Sequence, residues 1–331
     1  MAFALFKKRE DQYINFKNVK VNNNITMSIE EAGKTVDAIK SAEKVMKIIS
    51  TILTYIFILA LALVVVFPFY WMIITSLKQV EEIQRVEQTF FPEIVMWTNY
   101  SYVFEVFDFT KYMTNTIIVA IFSTLGTLIT TIFAAFAFAR LKFKGRDAVF
   151  FIFLMTMMIP GEMMVISNYL TVSAFGWIKA QVEDNSATAA YAAMIVPFMV
   201  SVFHIYLLRQ NFKQIPNELY LAAKVDGKSD WDFVWKVMVP LAAPTLISIT
   251  ILKFMGTWNS YVWPNLVTKK DDFRLISNGL RGSAFTDPDS GKTEFGYQMA
   301  ASFCVTVPLF LLFVFFRKYI MRGVGRAGIK G

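Results

Sequence analysis

Few residues in this chain of 331 have the types and spacing that catalysis or metal binding requires. The sequence contains one histidine, His204, and one cysteine, Cys304. A zinc site draws several ligands from Cys and His, and an activated nucleophile needs a base beside it, so the composition argues against both kinds of site. A single cysteine also cannot form a disulfide within the chain. We therefore expect no metal, no other cofactor and no enzymatic activity.

One short segment, Gly291-Lys292-Thr293, resembles the end of a nucleotide-binding P-loop. The full motif also requires a glycine at position 286, where this chain has Thr286, and a strand immediately before the loop. Neither requirement is met by the sequence. We therefore expect no nucleotide-binding site in this chain.

Three ionisable residues lie in or beside long apolar segments. Lys253 is the one basic residue well inside such a segment, where a charge is costly and usually faces a cavity or a partner. It either lines a translocation path and attracts an anionic or hydroxyl-rich solute, or it extends to the membrane boundary or pairs structurally. Glu162, beside the Pro160-Gly161 break, is either a path residue or a solvated interfacial acid. His204 is expected to hydrogen-bond between helices rather than to bind a ligand.

Aromatic side chains and one amide follow Lys253 within about three helical turns: Trp258, Asn259, Tyr261 and Trp263. Aromatic rings can stack on sugar rings, and an amide can hydrogen-bond sugar hydroxyls. The same residues also suit an aromatic belt at the outer membrane interface. Both interpretations remain open from the sequence.

The elements that position these residues are membrane spans. The chain is 56% hydrophobic and 18% charged, with a mean hydropathy of +0.47, whereas a soluble domain carries about 25% charged residues. The apolar runs are long and continuous rather than alternating, so they predict transmembrane helices and an all-α polytopic membrane protein. The six predicted spans cover residues 48–77, 112–139, 148–166, 187–208, 241–263 and 297–316.

Lys and Arg are unevenly distributed between the two sides of these spans. The two tails and the connections 140–147 and 209–240 hold 23 of them, and the other connections hold nine. Because cytoplasmic segments are enriched in Lys and Arg, both termini are expected in the cytoplasm, in a multi-pass protein of the cell membrane. This distribution explains the net charge of +8 by topology, so we expect lipid contact and no nucleic acid.

The remaining organisation follows from the spans. Residues 1–47 form a predicted cytoplasmic tail, in which Ser28 and Glu31 indicate the start of an amphipathic helix that lies on the membrane or binds a partner. The first span (48–77), an external connection (78–110), a core of five spans (111–316) and a cytoplasmic tail (317–331) follow.

The longest polar run inside the hydrophobic half, residues 216–240, predicts two short helices that meet at a glycine. We call this segment the elbow. Asn217 is a candidate cap for the first helix, and Ser229 with Asp232 resembles a capping box for the second. Gly227 lies where a positive φ is needed to end the first helix. Such a segment between spans favours a rigid docking surface over a catalytic site.

The elbow resembles the cytoplasmic coupling loop of permease subunits of binding-protein-dependent ABC importers. Their motif is E-A-A, three residues, G, nine residues, I-x-L-P; here it stands as Leu221-Ala222-Ala223, Gly227 and 237–240 with the full spacing. Leu221 replaces the motif's Glu, and Glu218 is a candidate substitute. The resemblance covers roughly residues 111–331. Its most specific pieces, which are similar to the sugar-permease branch and its second maltose-type subunit, are TNTIIVA, LLRQNFKQIPNEL, GTWNSYVWP, YQMAAS and FRKYIMRGVGRAGIKG.

This resemblance implies a type I importer fold, a second permease subunit, two cytoplasmic ATPase subunits, an external solute-binding protein and a carbohydrate substrate. ATP hydrolysis is then expected in the separate ATPase subunits. The implied ATPase-coupling residues are Glu218, Leu221, Ala222, Ala223, Asp226 and Gly227. Lys253 suggests an anionic oligosaccharide such as a uronate oligomer, and the 264–294 connection is expected to engage the binding protein. The alternatives are an ABC permease for a non-sugar solute and an ion-coupled secondary transporter, which would show paired repeats, broken helices and buried carboxylates.

Overall fold

The computed structural model describes residues 29–280, 285–286 and 293–325, with side chains from residue 39 to residue 318 of these ranges. The described residues form helices, turns and loops, apart from one isolated antiparallel bridge between Thr286 and Thr293. The predicted all-α class is confirmed. The α-helices are α1 (Ile29–Ser76), α2 (Val80–Ile83), α3 (Thr98–Val106), α4 (Phe109–Arg140), α5 (Arg146–Thr156), α6 (Val165–Ala174), α7 (Trp177–Glu183), α8 (Ala187–Ile195), α9 (Val202–Gln214), α10 (Asn217–Val225), α11 (Asp230–Phe233), α12 (Val239–Leu241), α13 (Ala243–Trp258), α14 (Val262–Val267), α15 (Ile276–Gly279) and α16 (Phe295–Gly325).

Three helices are long and apolar enough to cross a membrane alone: Ile39–Ser76 of α1, all of α4, and Phe295–Lys318 of α16. Three bent pairs pass the same test when each pair is taken as one span, which gives up to six spans by length and composition. The bend is 91° between α5 and the helical segment Gly161–Ala174, which ends with α6. It is 51° between α8 and α9, and 79° between α13 and the segment that ends with α12. The six predicted spans therefore fit the structure, but their course differs from the sequence prediction.

Prolines account for the bends. The break at Pro160-Gly161 was predicted from the sequence, but the fourth and fifth spans were predicted as continuous helices. In the structure Pro197 lies in a 3₁₀ turn (Val196–Phe198) at the end of α8, and Pro240 and Pro244 lie on either side of the α12–α13 bend. Proline lacks the N–H that an interior helix position must donate, so a helix bends or ends beside it. The fifth span also ends at Trp258 instead of Trp263, and α14 begins after a break.

The chain divides into two units, Met1–Pro68 and Phe69–Gly331. In the described part of the first unit α1 is unbroken from Ile29, and the sequence has neither Gly nor Pro from 39 to 67. A separate surface helix ahead of the first span was predicted; instead one helix covers both, because nothing in this segment interrupts it. Ser28, the predicted start of that helix, lies outside the described residues. All side chains from 39 to 67 are exposed.

The largest buried cluster of the second unit joins α4, α9, the elbow and α13. Its centre contains Phe136 of α4, Phe212 of α9, Phe233 of α11 and Ile249 of α13, none more than 6% exposed. Met238, at the end of a π-helical turn (Val234–Met238) between α11 and α12, is fully buried there. The elbow is therefore part of the packed core on one side.

The bend in the fourth span packs against α4. Thr127 and Thr130 donate to the carbonyl oxygens of Phe198 and Met199, at 3.2 and 2.7 Å, which the interrupted helix leaves without helical partners. Gly126 faces Met199 so closely that a Cβ there would lie 2.4 Å from the Met199 Cε atom. A small residue on α4 thus makes room for the bend.

The candidate coupling elbow and transport cavity

The elbow has the two-helix form that the sequence predicted. Gly227 has φ +70°, and its N–H donates to the carbonyl of Lys224 while the N–H of Lys228 donates to that of Ala223. These two bonds form a Schellman motif, which ends α10 and favours glycine at this position. Ser229 caps α11 by accepting from the N–H of Asp232 at 3.1 Å. The prediction that Gly227 ends the first helix with a positive φ and that Ser229 caps the second is confirmed.

Side-chain bonds hold the two helices of the elbow together. Tyr220 on α10 donates to the carboxylate of Asp230 on α11 at 2.8 Å, and Lys224 forms an ion pair with the same carboxylate at 2.8 Å. The hydrogen bond with Asp230 raises the pKa of Lys224. The Tyr220 ring also meets Phe233 at 5.1 Å between centroids. These contacts fix the angle of the elbow, although the individual polar pairs are largely solvated.

The two faces of α10 differ. Leu221, Ala222 and Val225 are exposed, with Val225 88% exposed. Tyr220 and Ala223 instead pack against the large core cluster. The predicted contact face therefore divides: Ala222 points away from the chain, and Ala223 faces inward, because residues one apart on a helix lie about 100° apart.

The polar residues of α10 also have defined positions. Glu218 and Asp226 are exposed, Glu218 in the first turn and Asp226 just after the last. The predicted capping role of Asn217 is wrong, because Pro216 occupies the capping position and Asn217 is the first helical residue. Its side-chain oxygen instead accepts from Arg140 at 3.3 Å. Arg140 was missed by sequence reasoning, which counted it only as a basic residue near the cytoplasmic side.

A cavity of about 240 Å³ lies between α4, α8, α9, α13 and α14. Lys253 and His204 supply its ionisable groups, and Thr257, Ser260 and Ser123 supply hydroxyls. Thr257 and Ser260 follow Lys253 by four and seven residues, a spacing that places side chains on one face of a helix. This spacing was a signal in the sequence for the two hydroxyls, which were not predicted.

Lys253 reaches into this cavity and bonds to the bend of the fourth span. Its ammonium donates to the carbonyl oxygen of Phe198 at 2.9 Å. His204 is 8% exposed, and its Nδ1 atom has no hydrogen-bond partner among the described residues. The predicted interhelical hydrogen bond of His204 is thus not found there; His204 lies in the first turn of α9, directly after the bend, and its ring lines the cavity instead.

The structure places Trp258, Asn259, Tyr261 and Glu162, the other predicted path residues, outside the cavity lining. Trp258 is 4% exposed, and its indole nitrogen is buried without a hydrogen-bond partner in the described part of the chain. Asn259 is exposed and donates to the carbonyl of Met255 at 3.0 Å, while Tyr261 is partly buried. Glu162 is exposed on a 3₁₀ turn (Gly161–Met164). Trp263 does line the cavity and donates to the carbonyl of Ala193 at 3.1 Å.

The described part of the 264–294 connection is fastened to the start of α4. Lys111 pairs with the carboxylate of Asp272 at 2.8 Å, and Asn115 donates to the carbonyls of Asp272 and Arg274 at 2.8 and 3.0 Å. Thr116 accepts from the N–H of Ile276 at 2.9 Å. Gly291 and Lys292, which belong to the segment that resembles the end of a P-loop, lie outside the described residues.

Residues 127–326 match the family model described as binding-protein-dependent transport system inner membrane component. The chain is 27% identical over 280 residues to the arabinooligosaccharides transport system permease protein AraQ of Bacillus subtilis (strain 168), covering 83% of this chain and 94% of that protein. It is 29% identical over 266 residues to the diacetylchitobiose uptake system permease protein DasC of Streptomyces coelicolor (strain ATCC BAA-471 / A3(2) / M145), covering 80% and 92%.

The fold is also similar to a solved one. A chain in the crystal structure of a bacterial ABC transporter involved in the import of the acidic polysaccharide alginate matches with a TM-score of 0.70 and 22% identity, covering 84% of this chain and 97% of that one. At this identity the likeness shows the fold alone. The family match covers more than half of the chain, so this protein belongs to the family of binding-protein-dependent transport system inner membrane components.

Proposed function

We propose that this chain is one of two permease subunits of an ATP-driven ABC importer that carries an oligosaccharide into the cytoplasm. The observation that carries the proposal is the elbow, which is packed into the core on one face and presents Leu221, Ala222 and Val225 on the other. Apolar side chains on a short, braced helix outside the spans suit a docking contact with another protein. The sugar transport named for AraQ and DasC supports the oligosaccharide assignment.

The partners in this proposal are a second permease, two cytoplasmic ATPases and an external binding protein. The excess of Lys and Arg around the elbow and in both tails supports a cytoplasmic position for the elbow, the N-terminal tail and the C-terminal tail, where the ATPases would meet them. When the ATPases close on ATP, α10 moves with them. Because α10 packs on the core cluster that also holds α4, α9 and α13, its displacement shifts the spans between inward-facing and outward-facing states.

The external side is proposed to meet the binding protein through residues 264–294. The described part of this connection is bonded to Lys111, Asn115 and Thr116 at the start of α4. A force on the connection therefore acts on a long span rather than on a free loop. Contact there by the loaded binding protein would therefore be passed to the same helix that packs against the elbow.

The cavity around Lys253 is proposed to receive one charged group or ring of an anionic glycan. Its volume of about 240 Å³ is below the roughly 300–1,000 Å³ of sites that enclose a whole drug-sized ligand. An ammonium, an imidazole and three hydroxyls converge on it, which suits a carboxylate and sugar hydroxyls. The alginate importer named for the structural neighbour is consistent with a uronate substrate.

The three bent spans favour one competing function, an ion-coupled secondary transporter, because such proteins bind their ions at broken helices. Ion-coupled transporters also have carboxylates beside these breaks, near the middle of the membrane. Among the described residues the buried acidic side chain is Glu82, which lies on α2 in the first external connection. The elbow has no function in such a transporter, so the importer explains more of the structure.

Co-expression with the neighbouring transport genes tests the proposal. The chain should purify with a second permease and an ATPase, and vesicles containing the complex and its binding protein should take up an oligosaccharide only with ATP. Removing part of the 264–294 connection should abolish uptake while the complex still assembles. Uptake driven by an ion gradient without any ATPase would instead establish the secondary transporter.

A further inference from the structure

Two buried arginines connect the ends of two spans, and one of them, Arg140, also reaches the elbow. Arg140 is the last residue of α4 and is 9% exposed; Arg209 lies near the end of α9 and is 5% exposed. Arg140 donates to the carbonyl of Phe212 on α9 at 2.8 Å, and Arg209 donates to the carbonyl of Phe138 on α4 at 3.2 Å. Each arginine thus satisfies a carbonyl in the last turn of the other's helix.

This exchange is favourable for a physical reason. The last four carbonyls of a helix lack helical partners and carry the negative end of the helix dipole, which attracts cations. Arg209 is held further by the carboxylate of Asp147 at 3.4 Å and by the ring of Phe150, whose centroid lies 3.8 Å from the guanidinium carbon. The ends of α4 and α9 are therefore tied by two independent buried contacts.

Arg140 makes additional bonds that Arg209 does not. Between α9 and α10 lies a joint of two residues, Ile215 and Pro216, and Pro216 has no N–H to continue a helical bond across it. Arg140 donates to Phe212 before the joint, to the carbonyl of Ile215 within it, and to the side chain of Asn217 after it. One planar guanidinium thus bridges both sides of the joint.

We propose that Arg140 is the positioning residue that makes α10 move as one body with α4 and α9, so that displacement of the elbow reaches the spans. This inference rests on the proposed function, in which the ATPases move α10. Without Arg140 only the packing of Tyr220 and Ala223 on the core cluster joins α10 to the spans, so the Ile215–Pro216 joint acts as a hinge and α10 can turn without an equal movement of the spans. Lysine cannot replace it fully, because an ammonium lacks the planar fork that reaches three acceptors at fixed angles.

A distance measurement tests this without knowledge of the substrate. Spin labels at Lys228→Cys beyond α10 and Leu125→Cys on α4, in a Cys304→Ser background, report the position of the elbow relative to the span. The full complex with its ATPases is measured with and without a non-hydrolysable ATP analogue. With Arg140 present the distance distribution should be narrow and unchanged by the analogue. Arg140→Gln should broaden it at least twofold, and Asn217→Ala should broaden it less.

Matched variants separate this role from simple stabilisation. Lys142→Gln removes the same charge from an exposed position two residues later, and Gln214→Ala removes an exposed amide near Asn217; both should leave the distribution as in the parent. Arg209→Gln should lower the melting temperature but keep the distribution narrow. A parental distribution in Arg140→Gln, or a parent distance that shifts with the analogue, would overturn the inference. Failure of any ATPase to purify with the parent chain would overturn the proposed function itself.

Discussion

The ammonium of Lys253 donates to the carbonyl oxygen of Phe198 across 2.9 Å, which ties the middle of α13 to the bend of the fourth span. Thr127 on α4 donates to the same oxygen. Three spans therefore meet at one carbonyl that a continuous helix would have used internally. A cation at this position both stabilises the bend and leaves part of its hydrogen-bonding capacity for the cavity.

Lys253→Met should reduce uptake of an anionic oligosaccharide by more than tenfold. A charge pair 4 Å apart in surroundings with an effective dielectric near 20 contributes about 4 kcal/mol, which exceeds the cost of that factor. Assembly with the partner permease should persist, since Thr127 still satisfies Phe198. Uptake of a uronate oligomer and of a neutral oligosaccharide by the same vesicles is the measurement. Equal uptake of the uronate by both forms would show that Lys253 is purely structural.

Gly227→Val should lower ATPase co-purification and binding-protein-stimulated ATP hydrolysis together. An L-residue at φ +70° costs about 1–2 kcal/mol, and a β-branched one more, so α10 would end differently and the elbow would change its angle. Gly227→Asn is the control, because Asn adopts this backbone conformation more easily. If the valine variant binds and stimulates the ATPase like the parent, the elbow is not the coupling element.

Ala222→Trp and Ala223→Trp should have different effects although they are adjacent. Ala222 is exposed, so a large side chain there should block the ATPase without changing the melting temperature. Ala223 packs against the core cluster, where an extra ring overfills the site at a cost of about 1–3 kcal/mol. ATPase co-purification and thermal unfolding, measured on both variants, separate the two. Identical profiles would contradict the orientation of α10.

Local rules were sufficient for the turn and the second helix cap of the elbow but not for its contacts with the rest of the chain. Gly227 and Ser229 were recognised from the sequence because a left-handed helix end and a helix cap depend on a few adjacent residues. Ala223 faces inward onto a cluster whose members range from Ile132 to Ile249, and Asn217 bonds to Arg140, 77 positions earlier; no local pattern encodes either contact. The fourth span was predicted as one continuous helix, although Pro197 lies within it. The bend that brings Lys253 to Phe198 is stabilised by Thr127 on another helix, a contact that the sequence of the span itself does not encode.

The orientation of the chain can be tested in intact cells. With Cys304→Ser as background, Ser283→Cys should react with a membrane-impermeant maleimide added outside, and Ser229→Cys should react only after the membrane is opened. The expectation follows from the 23 Lys and Arg on one side against nine on the other. The reverse pattern of labelling would invert the topology and place the elbow outside the cell.

The contact between Gly126 and Met199 makes these two positions share a single volume. A Cβ on Gly126 would lie 2.4 Å from the Cε atom of Met199 and 2.9 Å from its Cγ atom. The Cγ atom is close to the backbone and cannot swing away as the Cε atom can, so Gly126→Ala should be tolerated poorly while Met199 keeps its length. Shortening Met199 to alanine creates the missing space and should restore function to the Gly126→Ala chain. Each substitution would then suppress the defect of the other in a genetic screen. The residue that is tolerated at position 126 would depend on the residue at position 199, so the two positions would vary together.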